Sequence, residues 1–98
     1  IQIYLKQIIY GKADNEYTHF FYYTVEGNIS TIIASKGLGK WEEELTSFRF
    51  CRIHKKYLVN IQHISQFQKT EDRVLMTNGA LLDVSPSGKA SLSIMIKK

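Results

Sequence analysis

Residues Phe50–Ile64 read FCRIHKKYLVNIQHI. Arg52, His54, Lys55 and Lys56 crowd the first half of this stretch. An apolar run, Tyr57 to Val59, follows directly and closes on Asn60. FRFCRI and YLVNI are each short, β-branched and aromatic, and read as two strands. The stretch contains no acid, and neither do its surroundings. Residues 45–70 hold Arg49, Arg52, Lys55, Lys56 and Lys69 and no Asp or Glu, a net of +5. Residues 1–44 carry a net of −2 and residues 71–98 a net of +1, so the overall +4 comes from this one block. A clustered, base-only segment is the electrostatic footprint of a polyanion binder, although a solvated loop carries the same charges.

Outward from this block the pattern is one of short strands. IQIYL alternates, with Ile1, Ile3 and Leu5 on one face, and predicts a first strand. QIIYGKA predicts a second, closed by the turn residues Asp14, Asn15 and Glu16. YTHFFYYTV carries aromatics on both faces, so its strand is expected to be covered on both sides at least in part. Glu26-Gly27-Asn28 makes a hairpin turn into ISTIIA. The period then changes. Leu38, Trp41 and Leu45 are spaced by three and four and predict a short helix, with Ser35 as its cap and Glu42–Glu44 mostly outward. Gly37 and Gly39 weaken its first turn. After Phe48 strands resume, through FRFCRI, YLVNI and HISQFQK, and RVLMT pairs with ALLDV across Asn78-Gly79. Thr70-Glu71-Asp72 forms the turn before that hairpin. Ser85-Pro86 reads as cap and first residue of a C-terminal helix through Ala90, Ile94 and Met95, made frail by Gly88.

The 98 residues suffice for one domain, 1–98, and the start at Ile1 reads as a cut from a longer chain. Apolar residues make up 44%, enough for a core. No apolar run approaches the roughly 18 residues of a membrane span. Cys51 is the only cysteine and reads as a buried, inert thiol. Asn28-Ile29-Ser30 matches a glycosylation acceptor and reads as a turn. His19, His54 and His63 are scattered, without metal-ligand spacing. Gly37-Leu38-Gly39-Lys40 lacks the spacing of a phosphate loop. Cys51 and His54 fall on opposite faces of a strand with no third group to orient them. No catalytic, cofactor or metal site is expected. The aromatic strand has the residues to stack unpaired bases, but core packing explains it better.

The opening stretch resembles the signature of LytTR-type DNA-binding domains: Phe, any residue, Arg, apolar, His, a base, Ser, aromatic, apolar, Val, Asn, then Ile. QIIYGKADNEYT is similar to the family's early strand and its loop ending in Tyr-Thr. The helix of Leu38, Trp41 and Leu45 sits where the family has one, and VLMTNGALLDVS resembles its late hairpin. The resemblance implies a mainly β fold, an elongated stack of small antiparallel sheets with one or two short helices, and a further strand upstream. It also implies a cytoplasmic bacterial transcription regulator of a two-component system. This domain would follow a receiver domain and bind promoter repeats in double-stranded DNA, probing successive major grooves with loops and bending the duplex. A homodimer on DNA is expected.

On that resemblance His54-Lys55-Lys56 is a loop presented to DNA, with Arg52 beside it. Lysine suits a phosphate or a guanine edge. Asn60 reads as structural, tying down the turn after its strand. In a second loop Asn15 suits an adenine edge and Tyr17 a phosphate, and Asp14 and Glu16 must point away from phosphate or accept from cytosine. The third loop offers Ser85, Ser87 and Lys89, helped by amides at the helix start. It departs from the family, which usually carries arginine where this chain has Pro86. Lys56 likewise replaces the usual serine. The alternative is a domain of the same fold that makes protein contacts and has lost specific DNA binding.

Overall fold

The computed structural model describes residues 2–97. Five strands form one antiparallel sheet: β1 (Ile8–Asp14), β2 (Tyr17–Tyr23), β3 (Ile29–Ala34), β4 (Phe50–His54) and β5 (Tyr57–Asn60), in the order β3-β2-β1-β5-β4. Three more, β6 (Ile64–Gln68), β7 (Arg73–Met76) and β8 (Leu81–Asp83), form a second sheet in sequence order. Helix α1 (Leu38–Leu45) lies between β3 and β4, and α2 (Pro86–Lys97) follows β8. The mainly β expectation of stacked antiparallel sheets with two short helices holds, with extents of 38 × 28 × 22 Å.

The larger sheet is covered on both faces. One face contributes Tyr10, Cys51, Ile53 and Val59 to a core shared with Val74, Met76 and Leu82 of the second sheet and Leu92 of α2. The other contributes Phe20, Phe50 and Leu58 to a smaller core closed by Leu38, Leu45 and Trp41 of α1. The aromatics of β2 serve both layers. Phe20 meets Trp41 edge-on at 5.3 Å and Phe21 stacks on Tyr10 at 4.5 Å, so these two rings of β2 are engaged within the protein, whereas Tyr17 at its start is half exposed.

The structure departs from the sequence reading in several places. IQIYL is not a strand among the described residues, and Ile1 lies outside them. Residues 2–4 are irregular and Leu5–Gln7 form a 3-10 turn. Local bonds replace a ladder there: Tyr4 N–H donates to Gln7 Oε1 at 2.8 Å, and Gln7 Nε2 donates to the Tyr23 carbonyl at 2.8 Å. Ser35 does not cap α1. Thr18 Oγ1 donates to the Lys36 carbonyl at 2.9 Å, which holds this segment against β2, and the helix starts only after an extended Gly37. His63 belongs to a 3-10 turn, Ile61–His63, and β6 begins after it. In α2 the inward face is Gly88, Leu92 and Met95, whereas Ala90 and Ile94 are exposed. Gly88 is not a flaw in that helix. A Cβ built on it would lie 2.0 Å from the Ile53 carbonyl oxygen, so only glycine lets α2 approach β4 this closely.

Candidate nucleic-acid interface

The three loops singled out in the sequence come together at one end of the larger sheet. β1 runs antiparallel to both β2 and β5, with Lys12 opposite His19 on one side and Tyr57 on the other. The β1–β2 turn and the β4–β5 turn are therefore neighbours, and Ala13 N–H donates to the Lys56 carbonyl at 2.9 Å to join them. The start of α2 is fastened to the same edge. Ser85 N–H and Oγ both donate to the Ile53 carbonyl, at 2.8 and 3.3 Å. Arg52, His54, Lys55, Ser85 and Ser87 line one shallow groove.

Within the β4–β5 turn, Lys55 and Lys56 are exposed and make no ion pair among the described residues. His54 Nδ1 receives the Lys56 backbone N–H at 3.1 Å. A backbone N–H can only donate, so Nδ1 carries no proton in this geometry and Nε2 carries it. The Arg52 guanidinium is not free. Nε donates to the His54 carbonyl at 2.9 Å, Nη2 to the Lys55 carbonyl at 2.7 Å, and Nη1 to Glu42 Oε1 of α1 at 2.8 Å.

In the β1–β2 turn Asn15 takes φ 55°, a left-handed conformation that asparagine tolerates and the turn needs. Tyr17 is half exposed, opposite Asp14. Asp14 Oδ2 lies 2.8 Å from His19 Nε2, so this carboxylate has a partner inside the protein. At the third loop Ser85 Oγ accepts the Gly88 N–H at 3.1 Å, as a cap should. The Lys89 N–H goes to the Ser85 carbonyl and Pro86 has none. The helix start thus has few amides to offer, chiefly that of Ser87. Lys89 Nζ pairs with Asp72 Oδ1 at 3.0 Å, which turns this lysine toward the β6–β7 connection.

Lys12 was not singled out from the sequence, and His19 was weighed there only as a metal ligand. Lys12 is exposed, unpaired among the described residues, and sits between the two turns. Its place depends on β1 lying between β2 and β5, a pairing that no local motif announces. Asn60 fills the structural role expected of it. Its Nδ2 donates to the Ile8 and Leu5 carbonyls at 2.9 and 3.3 Å, and its Oδ1 accepts from Gln62 N–H at 3.0 Å. Cys51 is buried, and burial together with the negative charge of Glu42 pushes its thiol up to about 11. A protonated, enclosed thiol is no nucleophile. Among the described residues no three His, Cys, Asp or Glu side chains are grouped to hold a metal, and no helix is long and apolar enough to cross a membrane.

A mainly β domain that gathers three loops and a row of lysines on one sheet edge has the form of a loop-based binder of an anionic surface. Residues 1–97 match the model of the LytTr DNA-binding domain, and the chain belongs to that family. A similar solved structure is the LytTr DNA-binding domain of a response regulator from Bacillus cereus. It has a TM-score of 0.75 and 23% identity, and the match covers 100% of this chain and 88% of that one. The likeness to it is one of fold. No curated protein matches the chain.

Proposed function

We propose that this domain binds double-stranded DNA sequence-specifically, with its three loops set against successive major grooves. It serves as the output domain of a bacterial two-component transcription regulator in the cytoplasm. A receiver domain elsewhere in the full chain controls it, and two copies assemble on promoter repeats. The observation that carries this reading is the convergence of the Asn15, Lys55–Lys56 and Ser85–Ser87 loops on one edge, with Lys12, Lys55 and Lys56 exposed and unpaired there. Lysines of this kind position a protein on phosphates, while Asn15 and His54 Nε2–H have the donors and acceptors to read base edges.

One observation favours the second reading, a protein-contact domain of the same fold. Arg52, His19 and Lys89 at this edge already have acidic partners, and Pro86 stands where the family usually has arginine. Gel shifts with random duplex, single strand and RNA of equal length separate the two. Duplex preference is expected, and its absence selects the protein-contact reading. Lys55→Ala and Lys56→Ala should each leave the fold intact and make the slope of log K against log salt shallower by about one unit. Unchanged affinity in the double variant would remove this turn from the interface.

A further inference from the structure

The β4–β5 turn has an unusual main chain. Its three successive carbonyls, of His54, Lys55 and Lys56, all accept hydrogen bonds from inside the protein. Arg52 Nε and Nη2 serve the first two, and Ala13 N–H serves the third. The turn lies beside a register shift between Arg52 and His54, where the ladder itself supplies less. A turn that approaches phosphates must keep its carbonyl oxygens, which carry partial negative charge, away from them. Arg52 does this for two carbonyls at once. Its third nitrogen is held by Glu42 of α1 at 2.8 Å, and its side chain is only 26% exposed. A planar fork with donors in fixed directions can bridge three acceptors, whereas a lysine ammonium has no such fork.

We propose that Arg52 is a positioning residue and not a DNA contact: it shapes the turn that displays His54, Lys55 and Lys56, and Glu42 holds it in that role. This deepens the DNA-binding reading above and rests on it for its functional consequence. The two members of the brace come from different layers, so the Arg52–Glu42 ion pair links α1 to this turn. Neutralising Arg52 by Glu42 also removes one cation from those facing the duplex. The free charge at the turn is then that of Lys55 and Lys56.

The test uses amide hydrogen exchange on the free domain and binding to a duplex selected from a random pool. Arg52→Lys keeps the charge and loses the fork. Exchange at Lys56, whose amide donates to His54 Nδ1, and at Ala13, whose amide donates to the Lys56 carbonyl, should rise tenfold or more while the amides of β1 and β2 away from the turn stay as in the wild type. Affinity for the selected duplex should fall tenfold or more, with the log–log salt slope changed by less than about half a unit, because no phosphate contact is lost. Glu42→Ala, on an accessible helix position, should raise exchange at the same amides by a smaller factor and serves if Arg52→Lys fails to fold. Unchanged exchange in both variants overturns the brace. A salt slope shallower by a full unit in Arg52→Gln, with exchange unchanged, overturns it in favour of a direct phosphate contact. The exchange measurement needs no DNA, so a wild-type domain that ignores duplex would sink the DNA-binding reading and leave the brace to be judged separately.

Discussion

Two helical glycines, Gly88 and Gly39, should respond to the same substitution with opposite sign. Gly88 faces β4 in the buried layer. An added Cβ would lie 2.0 Å from the Ile53 carbonyl oxygen, 2.4 Å from its carbon and 2.7 Å from its Cα, all backbone atoms that cannot rotate aside. Real Cβ atoms essentially never come within 3.0 Å of such neighbours, so α2 must retreat by about 1 Å. That retreat strains or breaks the two bonds from Ser85 to the Ile53 carbonyl, each worth about 1 kcal/mol. It also loosens Leu92, which is wholly buried; overpacking of this kind adds about 1–3 kcal/mol. Alanine's better helix propensity returns about 1 kcal/mol. Gly88→Ala should therefore destabilise by about 3 kcal/mol, or about 12–24 °C in a domain of this size. Gly39, near the start of α1, has nothing within 4 Å of its Cβ position. Gly39→Ala should stabilise by about 0.4–1 kcal/mol. Thermal melts of the three proteins followed by circular dichroism measure both shifts. A Gly88→Ala variant melting with or above the wild type would refute the close approach of α2 to β4.

Trp41 packs on Phe20 with its Nε1 buried and unpaired. Trp41→Ala should therefore cost about 3–5 kcal/mol, and Trp41→Phe under about 1 kcal/mol because it also removes the unmatched N–H. Denaturant midpoints decide between them, and the tryptophan emission should not change when DNA is added. Pro86→Arg restores a guanidinium at the exposed head of α2. In parallel selections from randomised DNA it should sharpen guanine preference at one outer position by about 1–3 kcal/mol, and an unchanged motif would mean that this loop lies outside the groove. The Cys51 thiol keeps its proton in the folded state up to about 11, whereas in the unfolded chain it ionises near 9.0. Its contribution is thus complete below pH 9 and lost as the pH rises through 11. The pH dependence of melting should differ between wild type and Cys51→Ala in that window alone, and a thiol reagent at pH 8 should label Cys51 only after unfolding.

Much of the strand pattern was legible because it is local. The Asn78-Gly79 turn is where it was expected, with Gly79 at φ 91°, and β2 is covered on both sides as its aromatics require. Asn60 was readable as a structural amide because it ends an apolar run beside a turn. The misreadings share a cause, which is that a periodic pattern says nothing about what lies opposite. Of the Ala90, Ile94 and Met95 named for the last helix, Met95 does pack against the core, but Ala90 and Ile94 are exposed and Leu92 and Gly88 take the inward positions. IQIYL alternates well and still forms no strand among the described residues, since its neighbouring polar groups are met by Gln7 and Asn60. At the candidate interface the sequence marked the three loops only as separate segments. Their meeting was not legible, nor were Lys12 and the pairs Arg52–Glu42 and Lys89–Asp72, all of which depend on strand order and on contacts distant in sequence.

The straps between the loops also have a mechanical meaning. Ala13–Lys56 and Ser85–Ile53 are main-chain bonds within or beside a sheet, so the distances between the three loops are set by strand spacing and not by side-chain rotamers. Such an edge behaves as a stiff template. When a stiff body meets a flexible polymer at three points, the polymer bends. If the three loops dock as proposed, the elastic penalty would fall on the duplex, and its size would depend on the base steps that lie between the points of contact. Pyrimidine–purine steps yield most easily and A-tracts resist. Operators for this domain should consequently favour yielding steps in the gaps between loops, at base pairs that no side chain of the protein touches.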